Sequence, residues 1–205
     1  FLFLAIYSLS AQDSSTADEL LTSAIAAPQF DGINAGIAIG DEVTWLGAGG
    51  YYSEDRQTPC NIDTRQRIAS ISKTFTAVAA LQLQEKGLLD LDLPIVHYLP
   101  DYPAFAAQKI TARHLLHHTA GIGGYLSGKE AETTQEYATL AEAITIFQDR
   151  ELLFEPGTKY QYSTYGYVLL GRVIEVASGQ SFNDYIQVNI FDKVGMTQRG
   201  IDLFE

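Results

Sequence analysis

Ser70 and Lys73 are the residues of this chain whose types and spacing most directly make a chemistry. On a helix, residues three apart lie about one turn from each other, so the hydroxyl and the amine share a face. If Ser70 opens that helix, its oxygen also sits at the positive end of the helix dipole, where a developing alkoxide is stabilised. A hydroxyl with an amine in reach is a nucleophile with its own base, which is what covalent acyl transfer needs. The same letters, Ser70-Ile71-Ser72-Lys73, also describe an N-capping serine followed by an exposed helix lysine. The rest of the chain has to choose between the two.

The elements that would position this pair are legible in outline. Thr74 to Leu83 carries Phe75, Val78, Ala79, Leu81 and Leu83 as an apolar set, and Gly87 is a suitable residue to end that helix. Upstream, Thr16-Ala17-Asp18-Glu19 reads as a capping box for a helix over 16–27 that Pro28 ends. Ile33, Ala35, Ile37 and Ile39 alternate with small or polar residues, as in a half-buried strand. Gly40-Asp41 fits a two-residue hairpin turn, and 43–49 returns as the second strand. Residues 51–63 read as a loop and 88–103 as irregular structure. Downstream, Thr111 caps a short helix through His117 closed by Gly121, and 136–150 reads as a helix. Residues 165–178 form a helix with Val168, Leu169, Val173, Ile174 and Val176 inward, and a last helix runs from Ser181 to about Phe191. Two strands do not hold a sheet in water, so either helices cover a small ribbon or further strands belong to the same fold beyond residue 205.

Composition removes several classes of function. The chain has 205 residues and a formal charge of -12, with an isoelectric point near 4.6. That balance disfavours nucleic acid and anionic membrane surfaces as partners. A single cysteine, Cys60, excludes an internal disulfide and a cysteine-rich zinc site; it lies in a polar, turn-like segment that does not suit a nucleophile. His114 and His118 share a helix face, which invites a metal reading, but no acidic ligand has fitting spacing. Asp90/Asp92 and Glu130/Glu132 read as solvated surface carboxylates. Residues 1–9 form an apolar run too short to span a bilayer, followed by small residues. The run reads as the core of a secretory signal, with residues 1–11 its remnant and 12–205 the mature part, or else as a buried terminal strand. With neither an initiator Met nor a basic segment before it, the chain is expected to begin inside its signal.

Several ordered blocks then agree with the Ser-x-x-Lys pair. They are Arg67 to Ala77, Gly87 to Asp92, His97 to Pro100, Ile110 to Ile122, Phe154 to Gly157 and Tyr162 to Gly171. This run, covering roughly residues 17–205, resembles the serine β-lactamase-related hydrolases. That family includes class C β-lactamases, D-alanyl-D-alanine carboxypeptidases, penicillin-binding-protein-like esterases and the mitochondrial serine β-lactamase-like proteases, the branch nearest in motif. The resemblance implies an α/β (α+β) sandwich, an antiparallel sheet with flanking helices plus an inserted all-helical domain, with this chain lacking the C-terminal strands. It implies Ser70 as the acylated nucleophile, Lys73 as its proton acceptor and Tyr162, first position of the Tyr-x-Asn motif, as partner in the proton relay. The histidine of the His-Thr-Ser-Gly-like turn is implied to be structural. Thr164 stands at a substrate-binding position where Asn is commonest. A threonine hydroxyl is shorter than an amide and offers fewer hydrogen bonds, so peptide or ester cleavage is expected over β-lactam destruction.

The third family motif, a Lys- or His-x-Gly on an edge strand, has no counterpart followed by a strand after Tyr162. Its strand supplies one oxyanion-hole donor, and losing one such donor costs about 10²–10³ in rate. The chain as it stands is therefore expected to be truncated and inactive or nearly so. The sequence reading is a secreted or periplasmic serine hydrolase without cofactor or metal. It acts on a small-molecule or peptide substrate, with peptidoglycan-derived peptides among the candidates, and is not inserted in a membrane once its signal is cleaved. The rival reading is a sensor or scaffold of the same fold that is acylated by a β-lactam or muropeptide and does not turn over.

Overall fold

A computed structural model describes residues 14–27, 30–53, 55–131, 135–197 and 199–200. The apolar run of residues 1–9, the cleavage site expected at Ala11, and Pro28 and Glu132 lie outside them. The chain divides into two compact units, residues 1–66 and 67–205.

In the first unit, α1 (Ser14–Ala26) begins two residues before the capping box at Thr16, which places that threonine inside the helix. The ribbon of β1 (Gly32–Ile39) and β2 (Glu42–Gly50) is antiparallel, as the alternation predicts. Gly40 takes the turn with a φ of 60°, a conformation that costs glycine little. Ile37 faces Trp45 while Ala38 faces Val43, which leaves Thr44 as the extra residue of a bulge. Helix α1 packs on this ribbon, and glycine makes the close approach possible. A β-carbon on Gly47 would come within 2.8 Å of Leu21 Cδ2. Trp45 Nε1 donates to Asp18 Oδ1 at 3.0 Å, linking strand to helix. The polar segment after β2 is tied back by one side chain. Asn34 Nδ2 donates to the carbonyls of Asn61 (2.8 Å) and Thr64 (2.9 Å), and its Oδ1 accepts from Gln66 Nε2 at 2.9 Å.

The second unit is helical among the described residues. Its principal helices are α2 (Ser72–Glu85) and α7 (Thr164–Ser178), with the shorter α3 (Ala104–Ala107), α4 (Ala112–Leu116), α5 (Gly128–Ala131), α6 (Leu140–Ala143) and α8 (Phe182–Ile186) around them. Helix α7 packs against α2, α4, α6 and α8, and Leu169, Leu170, Val173 and Ile174 are buried there. Truncating one of these leucines to alanine removes about 2–5 kcal/mol of stability. Val176, expected inward, is 40% exposed. On α2 the buried stripe is Thr76, Ala79, Ala80 and Leu83, while Val78 and Leu81 are exposed. The periodic pattern identified the helix, and packing against α7 selected its small residues for the contact. Gly87, with a φ of 69°, ends α2: its N–H donates to Gln84 O (2.9 Å) and that of Leu88 to Leu83 O (2.9 Å), the paired bonds of a Schellman cap. Residues 88–103 are irregular yet still bury Leu89, Leu91, Ile95 and Leu99.

Two expected helices are cut short. The one over 136–150 contracts to α6 and a 3₁₀ turn at Ile144–Ile146, because Thr139, not Glu136, caps it: Thr139 Oγ1 accepts from Glu142 N at 3.1 Å. The last helix opens at Ser181, as read, but after α8 it widens into a π-helical turn over Gln187–Phe191. The following Lys193-Val194-Gly195 matches the letters Lys-x-Gly but lies in a turn, with Gly195 at a φ of 68°.

Glu130 is not the solvated carboxylate its neighbours suggested. Its side chain is 16% exposed. Oε1 accepts from Tyr165 Oη and from Arg150 Nη2, both at 2.5 Å, and Oε2 accepts from Leu126 N at 2.6 Å. The Tyr165 bond foremost, then those from Leu126 and Arg150, brings its pKa down to about 2 from an ordinary 4.5. Between those two values the unfolded chain binds more protons than the folded one, so this contact stabilises above about pH 4.5 and is lost as pH falls toward about 2. In thermal melts between about pH 5 and about pH 3, the Glu130→Gln variant is expected to lose less melting temperature than the parent. An equal loss in both would show that the carboxylate is not held this way.

Candidate active site

A strained residue precedes the nucleophile. Ala69 has a φ of 44°, uncommon for a side chain with a β-carbon. It introduces a 3₁₀ turn, Ala69–Ile71, that runs directly into α2. The expectation that Ser70 opens the helix is thereby refined. Ser70 lies in the 3₁₀ turn just ahead of α2 and Lys73 in the first turn of α2, with the two side chains still on one side. Ser72 Oγ donates to Ala69 O at 2.7 Å and fastens the turn. Lys73 Nζ donates to Ser70 Oγ at 3.2 Å.

Tyr162 reaches the same oxygen from far along the chain: its hydroxyl lies 2.7 Å from Ser70 Oγ. Lys73 Nζ also stands 5.2 Å from the centre of the Tyr162 ring and 5.8 Å from that of Tyr167, within range of a cation–π attraction. The phenol therefore has a hydroxyl at its oxygen and a cation beside its ring. Partial burial pushes the Tyr162 pKa up, but hydrogen bonding to Lys73 and Ser70, the lysine charge and the Thr164 hydroxyl together outweigh it, and the pKa lies below its ordinary value. A phenol shifted in that direction is better matched to exchanging a proton with a serine or an amine near neutral pH.

The segment holding Tyr162 is fixed at both sides. Ser163 is the N-cap of α7: its Oγ accepts from Gly166 N at 3.0 Å and donates to Gly123 O at 2.9 Å. Thr164, the expected substrate-binding position, is the first residue of α7 and partly buried. Helix α4 supplies the other support. Thr111 caps it as expected, with Oγ1 accepting from His114 N at 3.2 Å and His114 Nδ1 accepting in return from Thr111 N at 3.3 Å. Its close differs from the expectation of Gly121. His118, with a φ of 57°, takes the left-handed position, its N–H donating to Leu115 O (3.3 Å) and that of Thr119 to His114 O (2.8 Å). A histidine where glycine is the usual choice costs about 1–3 kcal/mol of backbone strain.

All three expected catalytic side chains thus meet at one oxygen, and Thr164 stands beside them. Sequence reasoning missed the supporting residues Ala69, Ser163 and Gly123; the resemblance gave the His118 turn as structural, but not the left-handed close of α4 or the contacts to the Tyr162 segment. The crowding of Tyr160, Tyr162 and Tyr167 beside the His117-His118 pair was the available signal. Among the described residues no three His, Cys, Asp or Glu side chains are grouped to hold a metal ion, and no helix is long and apolar enough to cross a membrane. The geometry makes a titration prediction. In a tyrosinate absorbance titration, Tyr162→Phe removes a phenol that ionises below the usual tyrosine range, and Lys73→Met moves that same phenol upward. A low-titrating phenol indifferent to Lys73→Met would contradict the assigned cause.

The comparisons with known proteins identify the family. The model of the Beta-lactamase family matches residues 17–203. The human mitochondrial serine beta-lactamase-like protein LACTB is 29% identical, over 80% of this chain and 42% of its own length. Penicillin-binding protein 4* of Bacillus subtilis is 34% identical, over 78% of this chain and 36% of its own. Among solved structures, the D-amino acid amidase of Ochrobactrum anthropi SV3 superposes with a TM-score of 0.76 at 28% identity, covering 89% of this chain and 50% of that one. The chain spans half or less of the length of each of these proteins. Matched by the family model over most of its length, and with a serine, a lysine and a tyrosine gathered at one oxygen, this chain belongs to the Beta-lactamase family.

Proposed function

We propose that the protein is a serine hydrolase that cleaves an amide, peptide or ester bond through an acyl-enzyme on Ser70. The observation that carries this is the convergence of Lys73 Nζ and Tyr162 Oη on Ser70 Oγ, at 3.2 and 2.7 Å. As Ser70 Oγ attacks the substrate carbonyl carbon, its proton passes into the Lys73–Tyr162 pair. The tetrahedral intermediate collapses, the bond to the leaving group breaks, and the leaving group takes that proton from the pair. Water then attacks the acyl ester and gives a proton to the pair; as the ester C–O bond breaks, the pair returns that proton to Ser70 Oγ and the carboxylic acid product leaves. The positive end of α2 lies behind the attacking oxygen and favours its anionic form.

Thr164 beside the phenol supports a preference for ester or peptide substrates over β-lactams, since a hydroxyl presents fewer hydrogen bonds to a substrate carbonyl than an amide does. The amidase neighbour acts on D-amino acid amides according to its name, and the penicillin-binding relative supports peptidoglycan-derived peptides as candidate substrates here. The apolar run of residues 1–9 supports a secreted or periplasmic site of action. This chain by itself is proposed to turn over slowly, because among the described residues after Tyr162 no Lys- or His-x-Gly followed by a strand supplies the second oxyanion donor.

A p-nitrophenyl ester tests the reading. The expected result is a burst of nitrophenol of one equivalent or less, followed by slow steady release, both abolished in Ser70→Ala, with hydrolysis of a chromogenic β-lactam slower still. A burst with no further release identifies a sensor acylated once, and release unaffected by Ser70→Ala refutes the acyl-enzyme.

A further inference from the structure

His118 is connected to Tyr162 three times over. Its carbonyl accepts from Gln161 N–H at 2.9 Å, the residue before the tyrosine. Its ring Nδ1 accepts from Ser163 N–H at 3.2 Å, the residue after it. Its ring lies against the Tyr162 ring itself, with centroids 4.5 Å apart and planes tilted by 39°. The imidazole also meets Tyr167, at 5.0 Å and 34°, and Tyr167 is anchored in turn by its hydroxyl donating to Leu116 O at 3.0 Å. One residue therefore grips the backbone on both sides of the phenol and packs on its face.

We propose that His118 is the positioning residue of Tyr162, and that protonation of its ring releases the phenol from Ser70, which gives the enzyme an acid cut-off. An Nδ1 that accepts a hydrogen bond carries no proton, so the arrangement requires the neutral imidazole with its hydrogen on Nε2. Protonation places a hydrogen on Nδ1 facing the Ser163 N–H, turns attraction into repulsion, and brings a second positive charge toward Lys73. The groups facing the ring are Lys73 from α2, Tyr160 and Tyr162 from the segment before α7, and Tyr167 from α7. Burial first, and then the Lys73 charge, lower the His118 pKa. The neutral form is therefore complete above about pH 6.5, and its contribution is lost as pH falls through the depressed value. The left-handed backbone at His118 accords with this role. That position ends a helix, where glycine would fit without strain but would leave the Ser163 N–H without the side-chain acceptor described.

The activity arm of the test rests on the acyl-transfer reading; the spectroscopic arm does not. In nitrogen-15 NMR of histidine-labelled protein, His118 is expected as the Nε2–H tautomer, titrating below its usual range, with the Tyr162 ring resonances shifting at the same midpoint. An Nδ1–H tautomer, or Tyr162 resonances that ignore the His118 titration, overturns the proposal whether or not the protein is a hydrolase. Fluorophosphonate labelling of Ser70 is then followed from about pH 5 to about pH 8. Asparagine tolerates the left-handed backbone and offers Oδ1 in place of Nδ1 without titrating. His118→Asn is therefore expected to keep the neutral-pH rate within about threefold and to lose the fall on the acid side. His118→Phe, a ring without an acceptor, is expected to lose about tenfold or more at every pH. An acid fall unchanged in His118→Asn contradicts the proposal. A parent protein that is not labelled at any pH defeats the acyl-transfer reading, and the tautomer and Tyr162 resonances still decide the role of His118.

Discussion

The contact between Ser70 Oγ and Tyr162 Oη joins residues 92 positions apart, and most of the second unit is arranged so that it can form. One end is set by local chemistry: a strained alanine, a 3₁₀ turn and the first turn of α2 bring hydroxyl and amine to one side. The other end is set by tertiary structure. Tyr162 is in place because α7 begins at Ser163, because Ser163 Oγ is bonded to Gly123 O, and because His118 at the close of α4 holds the residues on either side. Contacts of α7 with α2 and α4 fix the distance between the two ends. An error of about 1 Å in that packing would open the hydrogen bond and cost much of the preorganisation that acyl transfer requires.

The site is polar and partly open, while the packing that carries it is not. Ser70 and Tyr162 are exposed, whereas Leu169, Leu170, Val173 and Ile174 behind them are fully buried. Exposed reacting groups on a buried scaffold are what substrate access demands, and burial of the α7 face keeps their spacing from varying. The Glu130–Tyr165–Arg150 cluster is tied to this scaffold through Tyr165 on α7. Tyr165 stacks on Phe147 at 4.5 Å and meets Tyr125 edge-on at 5.1 Å, while its hydroxyl is held by Glu130. Three residues after the candidate catalytic tyrosine, another tyrosine thus does a purely structural job, its pKa raised by burial and by the neighbouring carboxylate.

Much of this was readable in the residues. Ser-x-x-Lys named the nucleophile and its amine, the family resemblance added the tyrosine, alternation named the ribbon, and the apolar pattern over residues 165–178 named α7. What escaped reading depends on partners distant in sequence. Nothing local distinguishes Val78 or Leu81, which are exposed, from Leu83, which is buried, because α7 decides which face of α2 is covered. Glu130 read as a surface charge because Tyr165 and Arg150 lie 35 and 20 residues away. His118 was expected to be structural, but its place at the close of α4 escaped because a left-handed histidine at a helix end contradicts local preference. Glycine was the better local guess at the close of α4, and the tertiary contacts to Gln161, Tyr162 and Ser163 outweighed it.

Peptide mapping of the chain after prolonged treatment with a fluorophosphonate tests the central claim most directly. The Ser70 oxygen forms a bond to phosphorus as fluoride leaves, and the serine proton goes to the Lys73–Tyr162 pair. The account predicts a single modified serine, Ser70, with labelling slowed by about a hundredfold or more in Lys73→Ala and in Tyr162→Phe. Modification spread over several serines, or labelling of Ser70 at an unchanged rate in both variants, would contradict it.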